Sequence, residues 1–376
     1  MASDVSARGA DSRAANKAQG RELRRHRELR DLVKFVSVAA ILILGSLLVL
    51  HYLARAYPLH TRDRFAQWVE FYEEVKANRA SVAEDLDVLI LGDSLAAMNI
   101  MVPRLQPLRG FSLALRGATL IESRFLYEDF VRHFPAPRCV MIMTSYGGYR
   151  EHVRDRHLHR YLSHGLLSWD ELNRLYDASA KFGVEPAASQ SRVGFLWSHR
   201  LEPQWLQPVR VDAFRRWVFD PEFIADREAQ WFNLFHFRGG TPTSAQRPGG
   251  IKSDFFDAYH DYLNREFQIE PILDSALLEI FETARRTGSR VLVVGQPLAA
   301  SLESEATRAW TESYAQHLQQ LIPANFPHVK LHVVPTFWPN EHFSDVTHLH
   351  LQGALKWSDE LREFAESHCK PIEPNQ

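Results

Sequence analysis

The chain has 376 residues, 45% of them hydrophobic and 24% charged, which suits one large α/β domain with additional segments. A formal net charge of −2 gives no general electrostatic basis for binding nucleic acid. The two cysteines, Cys139 and Cys369, are too few for a disulfide framework and leave the redox compartment open.

In chain order, residues 1–20 are rich in Ala, Ser and charge without periodicity, and residues 1–34 are expected to form a disordered cytoplasmic tail. Residues 35–54 (FVSVAAILILGSLLVLHYLA) contain no Asp, Glu, Lys or Arg. Twenty helical residues span about 30 Å, the thickness of a bilayer's hydrocarbon core. The Arg-rich stretch RELRRHRELRDLVK precedes it, so the expectation is a single-pass helix with a cytoplasmic N-terminus and the remainder exported. Arg55, Arg62 and Arg64 on the outer flank weaken that bias. A cleaved signal peptide is the competing reading, because Ala54-Arg55-Ala56 resembles a cleavage site.

Residues 55–86 are expected to be a helical connector, since Phe65, Trp68, Val69 and Tyr72 recur at helical spacing within 64–79. Residues 87–376 are then the main domain. Residues 87–91 form a short apolar run stopped by Gly92, as expected of a strand buried on both faces. Further strands are expected at 111–115, 139–144, 291–294 and 329–334, the last being weaker. Helices are expected at 120–133, 274–287 (stopped by Gly288), 303–321 and 352–366. Alternating buried strands and amphipathic helices predict an α/β fold with a mainly parallel sheet covered on both faces. The segment 145–271 breaks that rhythm. It is rich in Arg and aromatics, including Trp197, Trp205, Trp217 and Trp231, and reads as a large, mostly helical insertion above the strands' C-terminal ends.

Active sites of open α/β sheets lie beyond the carboxyl ends of the strands. Ser94 falls there, directly after Gly92-Asp93, with a helix expected to begin near Leu95. A serine hydroxyl needs a base to become a nucleophile. Near the C-terminus, Asp345-Val346-Thr347-His348 places a carboxylate three residues before a histidine, close enough to fix the ring's tautomer. Taken singly, the first motif reads equally as a turn or helix cap, and the second as a loop whose Asp345 caps the final helix. Together, one closes the first strand and the other follows the last, so both fall at the same rim of the sheet.

At these residues the chain resembles the SGNH (GDSL-type) hydrolase superfamily. Leu91-Gly92-Asp93-Ser94 is similar to its first block, and Asp345 to His348 to its last. The run His348-Leu349-His350-Leu351-Gln352-Gly353-Ala354 is similar to the family's entry into its final helix. The resemblance covers about 87–144 and 289–366. It implies a flavodoxin-like three-layer sandwich with five parallel strands, and a triad of Ser94, His348 and Asp345. It also implies an oxyanion hole formed by Ser94 and by Gly117, which matches the second block. The third block normally carries Asn, and here the matching strand ends Thr144-Ser145-Tyr146-Gly147-Gly148. Ser145 or a backbone N–H of Gly147 or Gly148 would have to substitute. Losing one oxyanion donor costs about 2.7–4 kcal/mol of transition-state stabilisation. Asp93, Arg116 and Tyr146 are candidates for substrate contact.

Within the superfamily, the N-terminal anchor, the strand FSLALRGAT and the large insertion resemble bacterial cell-surface acylation proteins of alginate O-acetylation and teichoic acid D-alanylation. That resemblance implies an extracytoplasmic acyltransferase, periplasmic or extracellular. It would act on a glycan acceptor beside a multi-pass membrane-bound O-acyltransferase. The alternatives are a carbohydrate esterase using the same triad and a non-catalytic scaffold of a glycan-modification complex. His133, His152, His157, His159 and His164 are interleaved with Arg and read as a solvated face rather than a metal site. The tryptophans of the insertion read as its own core. The sequence has no phosphate-binding glycine motif, dinucleotide fingerprint or Cys-Cys zinc pair, so no cofactor or metal is expected.

Overall fold

A computed structural model describes residues 29–46, 49, 64–77, 86–143, 167–196, 238–239, 269–322, 325–333 and 336–369. The chain divides into two units, Met1–Leu59 and His60–Gln376. In the first, residues 29–46 form a helix (α1) whose apolar side chains, among them Val36, Ile41 and Leu42, are exposed. Among the described residues no helix is both long and apolar enough to cross a membrane. The described part of α1 opens on Arg30, Asp31 and Lys34, and the apolar stretch 35–54 runs past its end at residue 46.

The second unit is built on a five-stranded sheet. Its strands are β1 (Val88–Gly92), β2 (Gly110–Ser112), β3 (Cys139–Met143), β4 (Arg290–Val294) and β6 (Val329–His332). The spatial order is β2-β1-β3-β4-β6 and every neighbouring pair is parallel. That is the strand order of flavodoxin-like sheets, whose switch point lies beside the first strand. Every residue of β1 and β3 is buried, because helices cover both faces. Side chains alternate between two cores. Leu89, Leu91, Val140, Ile142, Val291 and Val293 enter one, and Val88, Ile90, Met141, Met143, Leu292 and Val294 the other. A small second sheet pairs β5 (Leu298–Ala299) with β7 (Phe337–Trp338) in parallel.

The first core is covered by α2 (Arg64–Ala77), α4 (Leu120–His133), α7 (Pro271–Thr287) and α8 (Glu305–Leu321). Helix α2 was expected to be a connector outside the domain. Instead Trp68, Phe71, Tyr72 and Val75 are buried in this core, with the Phe71 ring 6.0 Å from that of Phe111. Helix α4 begins with a capping box in which Thr119 and Glu122 satisfy each other's backbone N–H groups. Helix α7 ends at Gly288, whose φ of 76° is the left-handed conformation glycine adopts freely.

Of the insertion, only α5 (Trp169–Phe182), α6 (Arg192–Leu196) and short flanking stretches lie within the described residues. Leu172 and Leu175 of α5 enter the first core, and Arg132 and Glu128 of α4 pair with Glu171 and Arg174. This part of the insertion therefore joins the helical layer, whereas the sequence reading set it above the strand ends. It packs on α7 within that layer, and its charged contacts are to α4. Trp197, Trp205, Trp217 and Trp231 lie outside the described residues.

The second core is covered by α3 (Ser94–Asn99) and α9 (Leu351–Cys369). Cys369, the last residue of α9, is disulfide-bonded to Cys139, the first of β3, across 230 positions and with a Cα–Cα distance of 5.3 Å. The bond ties the end of the last helix to the start of the central strand. Closing so long a loop restricts the unfolded chain strongly. The double Cys139→Ser/Cys369→Ser variant is expected to lose about 2–5 kcal/mol of stability. Chemical denaturation of oxidised wild type against the variant measures this, and coincident curves would refute it.

Candidate active site

Strand β1 ends at Gly92, where φ is +140° and a Cβ would lie 1.8 Å from the Met143 carbonyl oxygen. Only glycine lets β1 run this close to β3 while the chain turns out of the sheet. The Asp93 carboxylate accepts the Leu95 N–H at 2.9 Å and caps α3. Ser94 is thus the first residue of the helix rather than the residue before it. As the first residue, its backbone N–H has no acceptor within the helix. The nucleophile candidate sits at the carboxyl end of β1, beside the switch point of the sheet.

The histidine lies on a closed loop. A bridge joins Phe343 to Leu349, and the His348 carbonyl accepts from the Ser344 N–H at 2.8 Å and the Ser344 hydroxyl at 3.0 Å. Inside the loop the Asp345 carboxylate accepts from the His348 N–H (2.7 Å), the Thr347 N–H (2.9 Å) and the Thr347 hydroxyl (3.2 Å). Its Oδ2 lies 2.8 Å from His348 Nδ1. With Nδ1 facing a carboxylate, the neutral ring carries its proton there and turns the Nε2 lone pair outward. Nε2 is 3.0 Å from the Ser94 Oγ, so the serine O–H donates to it. Ser94, His348 and Asp345, the candidate nucleophile, base and orienting carboxylate, are in consecutive hydrogen-bond contact, with Ser94 and His348 254 positions apart.

Burial alone would raise the Asp345 pKa. The His348 hydrogen bond and charge, with the backbone N–H groups of His348 and Thr347, outweigh it and hold the carboxyl below its ordinary value. A depressed carboxylate pKa stabilises the fold above the unfolded value of about 4, and that contribution is lost as pH falls through the folded value. The stability difference between wild type and Asp345→Asn is therefore expected to be constant above about pH 5 and to shrink below about pH 4. Urea unfolding across that range reads it out. A difference that grows on acidification would mean the carboxylate is not stabilised in this way.

The two halves meet because α3 follows the first strand and α9 the last, and both cover the same face. The Met101 N–H donates to Ser358 Oγ at 2.7 Å, and Arg104 pairs with Asp359 at 2.5 Å, joining the chain after α3 to α9. Helix α9 is capped by a buried imidazole, since His350 Nδ1 accepts the Gln352 N–H at 2.9 Å. Gly353 packs against the His342 carbonyl, where a Cβ would come within 2.3 Å. Asn99, fully buried at the end of α3, bonds Thr347 O and Leu349 N on the histidine loop.

Of the other candidates, Gly117 lies in the turn after β2 with φ 72°, and Arg116 beside it is exposed. The Leu115 N–H donates to the Gly92 carbonyl at 2.9 Å, which continues the β2–β1 pairing up to the nucleophile turn. Asp93 is buried at 5% exposure, and one oxygen of its carboxylate caps α3. Ser145, Tyr146, Gly147 and Gly148 lie outside the described residues. So do His152, His157, His159 and His164, while the His133 ring bonds the Asp129 carbonyl of its own helix at 2.8 Å. Among the described residues no group of three or more His, Cys, Asp or Glu is placed to hold a metal ion.

Sequence reasoning missed Ser344, Thr347, His350 and Asn99. The first two had a local signal, a Ser and a Thr flanking Asp-x-x-His, residue types that bond nearby backbone. The cap by His350 and the contact of Asn99 had none, because each depends on tertiary placement. No protein-family model and no curated protein matches this chain.

Proposed function

We propose that the protein is a membrane-anchored serine acyl-transfer enzyme of the SGNH type, working outside the cytoplasm on a cell-surface or exported glycan. The observation that carries this reading is the unbroken contact from Ser94 Oγ to His348 Nε2 and from His348 Nδ1 to Asp345. In the proposed reaction His348 takes the Ser94 proton as the oxygen attacks an acyl carbonyl. The resulting imidazolium, held by Asp345, returns its proton to the leaving group. An acceptor hydroxyl then attacks the acyl-enzyme, giving its proton to the same His348, which passes it to the Ser94 oxygen as the bond from Ser94 to the acyl carbon breaks. Developing negative charge on the carbonyl oxygen would be met by the N–H groups of Ser94 and Gly117, with Ser145 or Gly147 in place of the missing Asn.

Two features support the location. The exposed apolar side chains of α1 need a non-aqueous environment, which the charge-free stretch 35–54 would find in a bilayer. A buried disulfide belongs in an oxidising compartment. A multi-pass acyltransferase would supply acyl groups across the membrane. Water is the competing acceptor, because the His348 side chain keeps 22% of its surface exposed, and this second reading makes the protein an esterase.

Full-length protein in detergent micelles, given p-nitrophenyl acetate, is expected to acetylate an added oligosaccharide faster than it releases acetate. Release unaffected by acceptor would select the esterase. Absence of any turnover above a Ser94→Ala control would end both enzymatic readings.

A further inference from the structure

We infer that Asn99 is a positioning residue for His348, a role that rests on the acyl-transfer reading. Asn99 is the last residue of α3 and has no exposed surface. Its Nδ2 donates to the Thr347 carbonyl at 3.3 Å and its Oδ1 accepts the Leu349 N–H at 3.0 Å. These two groups flank His348 on either side. The two backbone groups of His348 itself are held by Asp345 and Ser344 within the loop. Every peptide group bordering the base is thus fixed, and Asn99 makes the two hydrogen bonds that fix them to another element.

That element matters. Helix α3 carries the nucleophile at its first residue and Asn99 at its last, about 7.5 Å apart along the axis. The shortest link between Ser94 and the histidine loop thus runs through one turn-and-a-half of α3, in addition to the packing of α3 and α9 on the sheet. The site also asks for one side chain with a donor and an acceptor in the same plane. The Leu349 N–H can only meet an oxygen and the Thr347 carbonyl only a donor, which fixes the orientation of the amide. An ionised Asp supplies acceptors alone, and Ala leaves both backbone groups buried without these partners.

The test uses full-length protein in detergent, with a fluorophosphonate probe for Ser94 acylation and p-nitrophenyl acetate for turnover. Rates are normalised to the folded fraction from thermal melts. Asn99→Ala is expected to lower kcat on the order of 10²-fold, as a misplacement of about 1 Å does, with KM changed by less than about twofold. A folded Asn99→Ala that is labelled and turns over within about threefold of wild type overturns the inference. If Asn99→Ala does not fold, Asn99→Asp decides. Protonation of its introduced carboxyl restores a donor facing Thr347, so its activity relative to wild type should climb from about pH 8 to about pH 5. A ratio independent of pH overturns the inference equally. Wild type that labels no better than Ser94→Ala removes the acyl-transfer reading and this inference with it, whereas labelled wild type with unaffected Asn99 variants removes this inference alone.

Discussion

Ser94→Ala is expected to lower acyl transfer by about 10⁶-fold and to abolish covalent labelling by a fluorophosphonate, with stability close to that of wild type. The size follows from the geometry. Ser94 Oγ is the atom 3.0 Å from His348 Nε2, and no other hydroxyl among the described residues makes a hydrogen bond to that nitrogen. His348→Ala should cost nearly as much, because a serine without its base is a weak nucleophile. The double variant should be no slower than either single one, since the pair acts as a unit. Activity of the isolated protein and acylation of its glycan in cells are the two measurements. Cells carrying Ser94→Ala that acylate their surface normally would sink the enzymatic reading and leave the scaffold. Summed losses in the double variant would instead mean that the two residues do not share a proton.

The stability of the substituted protein is expected to hold because Ser94 contributes little to the fold beyond its hydroxyl. The helix it begins is capped by Asp93, and the apolar residues Leu95, Ala96 and Ala97 bury the helix in the second core. Function and folding are thus separable at this position, which makes the activity loss interpretable.

How much of this was legible in the sequence follows from the range of the forces involved. The bounds of α4, residues 120–133, match the periodic reading, because a capping box and an amphipathic stripe are local. Strands β1 and β3 were legible as continuous apolar runs ended by glycine or polar residues. The two-residue strands β5 and β7 were not, since two residues carry no period. The Cys139–Cys369 bond was missed because cysteine spacing says nothing about which Cα atoms lie 5.3 Å apart. The burial of α2 was missed because its apolar spacing fits a connector as well as a core helix. In the candidate site, the meeting of Ser94, His348 and Asp345 was legible because the carboxylate and histidine are three residues apart and the serine follows a strand. Asn99 was not, since its partners lie nearly 250 positions away and a lone Asn at a helix end usually faces water.

Gly92→Ala is expected to be the most damaging small substitution in the fold, costing more than about 4 kcal/mol or preventing folding. Two independent penalties add. At φ +140° an L side chain is strained whatever the space around it. The added Cβ would also lie 1.8 Å from the Met143 carbonyl oxygen and 2.9 Å from the Ala96 Cβ. The nearest obstacle is backbone, so no rotamer change relieves it. Relief requires β1 to part from β3, whose last paired residues are Gly92 and Met143, or the turn into α3 to shift. Either movement carries Ser94 away from His348, so molecules that do fold should label slowly. Gly183 gives the control: its φ is +68°, yet nothing lies within 4 Å of a Cβ there, so Gly183→Ala should cost only about 1–2 kcal/mol. Denaturant unfolding of the two variants side by side separates strain from collision. Equal losses would mean that the close approach of β1 to β3 is not what holds the nucleophile turn in place.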